Sequence, residues 1–154
     1  MTERIDIRDC LVADIEHAAM GSELMYEYAR ESAIGELGPI APQWDLYKRM
    51  EAAGLMHAIG AFDGERMVGF MSLIVNVVPH FGRVIATTES FFVLESARHT
   101  GAGMGLMRAA ESLAKEQGAL VFFVSAPVGS KLAEVMSRHK PYRETTRSFM
   151  RALA

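Results

Sequence analysis

The chain has 154 residues, half of them apolar and 23% charged, which suits one globular domain with a buried core and leaves no room for a separate substrate domain. Its 16 Lys and Arg against 19 Asp and Glu give a net charge of −3, so no basic field favours nucleic acid or an anionic membrane. The single cysteine, Cys10, rules out an internal disulfide, and no stretch reaches the roughly 18 apolar residues of a membrane span.

Near the start, Glu3, Asp6, Asp9 and Asp14 interrupt any long apolar run, so no signal peptide is expected and a reducing cytoplasm is the default location. Ile5 and Ile7 alternate with charged residues and predict a short first strand. Residues 11–30 place Ile15, Ala18, Ala19, Leu24, Met25 and Tyr28 at helical spacing, with Gly21 a possible break. Gly35, Gly38, Pro39 and Pro42 mark a loop, and 43–53 reads as a second helix ending near Gly54. Three strands are then expected at 55–62, 67–78 and 83–94. Asp63-Gly64 and Pro79-His80-Phe81-Gly82 are the turns between them, which makes an antiparallel meander.

The best helix runs over 101–117, with Leu106, Ala109, Ala110, Leu113 and Ala114 on one face and Gly118 as its C-cap. The apolar run 119–125 predicts a buried strand, 129–138 a short helix, and 142–153 a closing strand or pair of strands. The whole reads as a mixed α/β sheet, mostly antiparallel and flanked by helices, in a single domain over 1–154. It is not the regular βαβ alternation of a dinucleotide fold.

The most informative stretch lies between the third long strand and the best helix. Arg98-His99-Thr100-Gly101-Ala102-Gly103-Met104-Gly105 is a glycine-rich turn that exposes backbone N–H groups at a helix start, where the dipole favours anions. Gly101 and Gly103 put no side chain between those amides and a ligand, and Arg98 adds positive charge. A phosphate-bearing ligand is implied. The dinucleotide fingerprint fails, because Leu106 stands where its third glycine belongs, and no Gly-Lys-Ser/Thr follows for a Walker loop.

Arg98-x-x-Gly101-x-Gly103 resembles the Arg/Gln-x-x-Gly-x-Gly/Ala signature of the GNAT superfamily of N-acetyltransferases, which bind the pyrophosphate of acetyl-CoA. The resemblance runs from about Leu55 to Tyr142 and is tightest over 91–119. It includes Val93 at the end of the fourth strand and the Asp63–Gly69 hairpin. Pro79-His80-Phe81 with Ala86–Ser90 is reminiscent of small acetyltransferases found in phage and bacterial genomes.

The resemblance implies acetyl-CoA as cosubstrate and no metal. It implies a pyrophosphate cradle from Arg98, His99, Thr100, Gly101, Ala102, Gly103 and Met104, with the pantetheine arm along Phe92 and Val93. Ser130 stands where the family often has an Asn near the cofactor, and Ser137 where it often has a Tyr as general acid. Pro141 replaces a usual Gly. The general acid therefore stays open between Ser137, His139 and water.

Glu89 is the candidate general base. By strand parity it shares a face with Phe91 and Val93, and beside an apolar surface it could have a raised pKa and take an amine proton directly or through water; the alternative is a solvent-facing acid on an edge of the sheet. His80 enters as a residue that could bind acceptor or assist proton transfer, or stand as a solvated turn histidine. Tyr26, Tyr28, Glu31, Glu36, Trp44 and Asp45 could line a site for a cationic amine, either a small molecule or a peptide. The implied activity is direct acetyl transfer to a primary amine; a non-catalytic acyl-CoA sensor on the same fold is the rival. A last strand over 144–153 could pair across a homodimer.

Overall fold

The computed structural model describes residues 4–154; Glu3, noted above among the early acids, lies outside the described residues. The described chain falls into two compact units divided between Phe123 and Val124.

The first unit is built on a five-stranded sheet. Its strands are β1 (Asp6–Cys10), β2 (Met56–Asp63), β3 (Arg66–Val78), β4 (Arg83–Val93) and β5 (Phe122–Phe123), in spatial order β1-β2-β3-β4-β5. The first four pair antiparallel and β4–β5 is parallel, so the sheet is mixed as the sequence predicts. Asp63-Gly64 turns the β2–β3 hairpin, with Gly64 at φ +60°.

Helices cover both faces. α1 (Val12–Ala19), α2 (Glu23–Glu31) and α3 (Trp44–Ala52) pack on one side, and α4 (Ala102–Glu116) on the other. The predicted helix over 11–30 is two helices, because Gly21 takes a left-handed φ of +63° and Ser22 caps α2 through Met25 N–H. The central side chains are Met56, Ile59, Met71, Leu73, Leu94 and Leu106, all fully buried. α4 sits close to the sheet because Gly105 has no side chain: a Cβ there would lie 2.8 Å from Ile7 Cγ1 on β1.

The predicted strand over 119–125 shrinks to Phe122–Phe123, and Leu120 and Val121 are exposed. Burial on both faces would need cover on both, and this short edge strand has one ladder neighbour. Consequently β4 continues from Thr88 to Val93 with β3 as its only ladder partner among the described residues.

The second unit carries α5 (Lys131–Arg138), N-capped by Ser130. No strand forms over 142–153. A strand exists through ladder bonds to a neighbour, and this segment has none among the described residues. From Arg143 onward every residue is exposed.

Candidate active site

The candidate anion cradle follows directly from how β4 ends. Leu94 N–H still donates to Val68 O at 2.8 Å, after which the chain tightens into a 3-10 turn over Glu95–Thr100. Gly101, at φ +84°, then swings the backbone into α4.

Four amides at a helix start lack intrahelical partners. Here Gly105 N–H makes the first such bond, to Gly101 O at 2.9 Å. Thr100 Oγ1 accepts from Ala102 N–H at 3.2 Å and donates to Ala97 O at 2.5 Å. The N–H groups of Gly103 and Met104 make no hydrogen bond outside the helix to another described residue. The first turn of α4 holds no acidic residue, so the positive end of the helix dipole is unopposed.

Arg98 is placed differently from its expected role. Its Nη2 donates to both carboxylate oxygens of Glu31, at 2.8 and 2.7 Å, and its Nε donates to Val93 O at 3.0 Å. The guanidinium also lies 5.5 Å from the Phe92 ring centre. Arg98 therefore braces the end of α2 against the end of β4, and most of its charge is answered by Glu31. Glu31 in turn does not line an amine site. Glu27 adds a second tie, accepting from Glu95 N–H at 3.0 Å.

The second feature is a bulge in β4. Ser72 pairs with Ser90 and Leu73 with Thr88, so Glu89 has no cross-strand partner. Strand parity put Glu89 with Phe91 and Val93. The extra residue resets that alternation and turns Glu89 toward the α1–α3 side with Ser90. Phe91 and Val93 face the other way, toward Gly103 at the start of α4.

There Glu89, itself exposed, accepts from two neutral donors among the described residues. Tyr47 Oη donates to Glu89 Oε1 at 2.6 Å, Ser72 Oγ donates to Glu89 Oε2 at 2.7 Å, and Ser72 and Ser90 share a hydroxyl contact of 2.5 Å. Burial, then the bond to Glu89, pushes the Tyr47 phenol above its usual range, so it keeps its proton and acts as a donor. Burial first, and then the Glu89 charge, raises Tyr28 as well.

These groups surround a slot of about 40 Å³ walled by Tyr28, Trp44, Tyr47 and Phe70, with Ser72 and Glu89 at its polar end. Sequence reasoning named Glu89, Tyr28 and Trp44 and missed Tyr47 and Ser72. The signal for Tyr47 was its spacing of three from Trp44, which puts both on one face of α3. Tyr26 is mostly exposed, Asp45 and Glu36 are exposed, and none of them lines the slot.

The remaining candidates fall elsewhere. His80 lies in the β3–β4 turn, exposed and edge-on to Phe81 at 4.8 Å. The six strand steps from Arg83 to Glu89 alone span about 20 Å, so His80 is not brought to Glu89. Ser130 and Ser137 belong to the second unit. Ser130 Oγ accepts from Ala133 N–H at 3.1 Å and Ser137 Oγ donates to Glu134 O at 2.8 Å, each within its own helix. His139 stacks on Tyr142 at 5.6 Å.

A larger cavity, about 590 Å³, is lined by Cys10, His17, Arg66 and Leu94 among others. Burial, followed by the Asp14 charge, pushes the Cys10 thiol up to about 12, so it holds its proton and offers no nucleophile. No group of three or more His, Cys, Asp or Glu among the described residues is placed to hold a metal ion.

A strand that passes a bulged carboxylate and runs into an acid-free helix start thus lies within a mixed α/β sheet flanked by helices. The chain belongs to the acetyltransferase (GNAT) family, whose sequence model matches residues 22–130.

Solved structures share the fold. A ribosomal-protein-alanine N-acetyltransferase from Brucella melitensis biovar Abortus 2308 superposes with a TM-score of 0.73 at 17% identity, over 96% of this chain and 97% of that one. An aminoglycoside acetyltransferase from an uncultured soil metagenomic sample, in complex with trehalose, gives 0.76 at 16% identity, over 99% of both chains. A GNAT family acetyltransferase from Staphylococcus aureus gives 0.67 at 15%, over 97% and 99%. No curated protein matches the sequence significantly.

Proposed function

We propose that the protein is an N-acetyltransferase that moves an acetyl group from acetyl-CoA to a primary amine by direct transfer, with Glu89 as general base. One observation carries this reading. Glu89 sits on a bulge of β4, held by two neutral hydroxyls, four residues upstream of the point where the same strand enters the anion cradle. Four strand steps are about 13 Å, so one extended ligand arm can link cradle and carboxylate.

Acetyl-CoA supplies an acyl group activated on sulfur. The amides of Gly103 and Met104 fit its pyrophosphate, because they make no hydrogen bond outside the helix among the described residues, have no acid in the same helix turn, and lie where Gly103 adds no side chain. The edge of β4 at Phe92 and Val93, beyond the β5 ladder, fits an extended amide-bearing arm. The strand end at Val93 is also where a backbone N–H would polarise the acyl carbonyl.

Glu89 then orients the incoming nitrogen and accepts its proton. The nitrogen–acyl bond forms and the carbon–sulfur bond breaks. Of the two protons an ammonium sheds, one goes to Glu89 and on to water, and the other replaces the acyl group on sulfur. Tyr47 and Ser72 fix the carboxylate by donating to separate oxygens. The high Tyr47 pKa makes it a positioning donor and a poor acid.

The working unit in this reading is the whole chain, 1–154, since the family match spans the Phe123–Val124 division. A homodimer and a cytoplasmic location belong to the same proposal; nearly full exposure of Phe149 and Leu153 supports the first and a free Cys10 thiol suits the second.

Ser137, where the resemblance leads one to expect a Tyr, is the observation that favours a non-catalytic acyl-CoA sensor instead. A thiol-release assay with acetyl-CoA and a panel of amines separates the two. Amine-dependent release supports the enzyme. Tight CoA binding with no release for any amine supports the sensor.

A further inference from the structure

Glu27, Tyr28 and Glu31 stand on one face of α2, and each reaches a different part of the candidate site. Glu27 accepts from Glu95 N–H at 3.0 Å, at the first residue of the 3-10 turn that leads into the cradle. Glu31 accepts from Arg98 Nη2 through both carboxylate oxygens, at 2.8 and 2.7 Å. Tyr28 packs edge-on against Phe92 at 5.6 Å and Phe70 at 5.3 Å, and it walls the slot that Glu89 lines. One helix of nine residues thus touches the cradle's turn and the slot at once.

The two ends of α2 are seated differently. At its start, Gly21 bends the chain at φ +63°, Leu24 is the one buried residue of the helix, and Glu23 pairs with Arg66 at 2.8 Å. After Leu24 no residue of the helix is buried, so the ties of Glu27 and Glu31 and the ring contacts of Tyr28 fix where its second half lies. The first end is a pivot and the second an arm held by its contacts. Those contacts fall on the turn beside which an anion would dock. Negative charge at the Gly103 and Met104 amides competes with the Glu31 carboxylate for the Arg98 charge and so loosens one of the ties.

We propose that Glu27 and Glu31 are positioning residues that make α2 a lever between the two halves of the site. Filling the cradle shifts the C-terminal half of α2, and Tyr28 carries the shift to the Glu89 slot. By linkage, a ligand in the slot changes cradle affinity by the same factor. The inference rests on the proposed use of the cradle for the CoA diphosphate and adds to it a link with the acceptor side.

Trp44 on α3 is the only tryptophan and walls the slot, so its fluorescence reads the slot while calorimetry reads the cradle. The probe is 3′-phosphoadenosine 5′-diphosphate, which carries the diphosphate of CoA but no arm to reach the slot. It is titrated against the whole protein, with circular dichroism confirming the fold of each variant. Wild type is expected to show heat and a saturable Trp44 change with one shared midpoint. In Glu27→Ala/Glu31→Ala the Trp44 change should shrink at least fivefold while calorimetric affinity stays within about threefold, because alanine suits the helix and the cradle amides are untouched. Glu31→Ala alone should shrink it at least twofold. Glu23→Ala, which loosens only the pivot end, should keep the change whole.

Calorimetric binding with no Trp44 change in wild type overturns the inference and leaves the cradle reading intact. So does an undiminished change in the double variant, or an equal loss in Glu23→Ala, which would make the effect a general loosening of α2. No calorimetric binding of this probe or of CoA overturns both the inference and the cradle reading beneath it.

Discussion

Tyr47 on α3 donates its phenolic proton to Glu89 Oε1 at 2.6 Å, joining a helix to a bulge 42 residues further along the chain. That bond fixes which way the carboxylate points. It also makes Tyr47 part of the wall of the slot that Glu89 lines. Substituting Tyr47→Phe keeps the ring and removes the donor. Turnover is expected to fall about tenfold, with CoA affinity unchanged within about twofold, since loss of one positioning hydrogen bond is worth roughly 1–1.5 kcal/mol. Steady-state kinetics with calorimetric CoA titration checks both.

The same bond has a pH signature. Folding raises the Tyr47 pKa, so the phenol's stabilising contribution is complete below the unfolded value of about 10 and is lost as pH climbs toward the folded value. Wild type is therefore expected to melt above Tyr47→Phe at pH 8, with the gap narrowing at pH 10 and above. Thermal melts of both proteins between pH 7 and pH 11 measure it; a gap that widens with pH contradicts the assignment.

The cradle predicts that Gly103→Glu abolishes CoA binding without unfolding the protein. A Cβ at Gly103 would meet Phe91 and Val93 at an ordinary 4.0 Å, and an acid in the first turn of a helix is favourable. A loss of affinity of at least a hundredfold, with the melting temperature within a few degrees of wild type, is expected from calorimetry and melts.

Arg98 is expected to act through Glu31. Both side chains are about two-fifths exposed, so their coupling is reduced by solvent to about 0.5–1 kcal/mol. A double-mutant cycle of Arg98→Gln and Glu31→Gln should give that value in denaturant unfolding. Arg98→Gln alone should weaken CoA less than Gly103→Glu does. A larger effect would restore Arg98 as a phosphate contact.

Cys10 is expected to be inert in the folded protein. A thiol at about 12 is some four units above pH 8, so its thiolate fraction is about 10⁻⁴, against about a quarter for a free thiol. Alkylation by iodoacetamide at pH 8 should be at least a hundredfold slower than in denaturant.

Much of this molecule was legible in its residues, and the failures have physical causes. Alternation and turn chemistry located β2, β3 and β4, because those strands pair with immediate sequence neighbours. Gly21 marked the α1–α2 break. The glycine turn into α4 was visible because glycines and helix starts are local features. By contrast, the run 119–125 looked like a buried strand, yet its extent depends on which neighbour it meets, and only Phe122–Phe123 pair.

The facing of Glu89 was misread because one extra residue in a strand leaves no compositional trace and inverts parity from that point. Tyr47 was missed and Glu31 was placed elsewhere because their partners lie 42 and 67 residues away, a distance over which spacing carries no information.

The most direct test of the mechanism is the pairing of products. Wild-type protein is incubated with acetyl-CoA and n-butylamine, and N-acetylbutylamine and free CoA are quantified together by mass spectrometry. Equal amounts of both, falling at least a hundredfold in Glu89→Gln at unchanged CoA affinity, are expected. CoA release without acetylated amine, or undiminished product from Glu89→Gln, would contradict it.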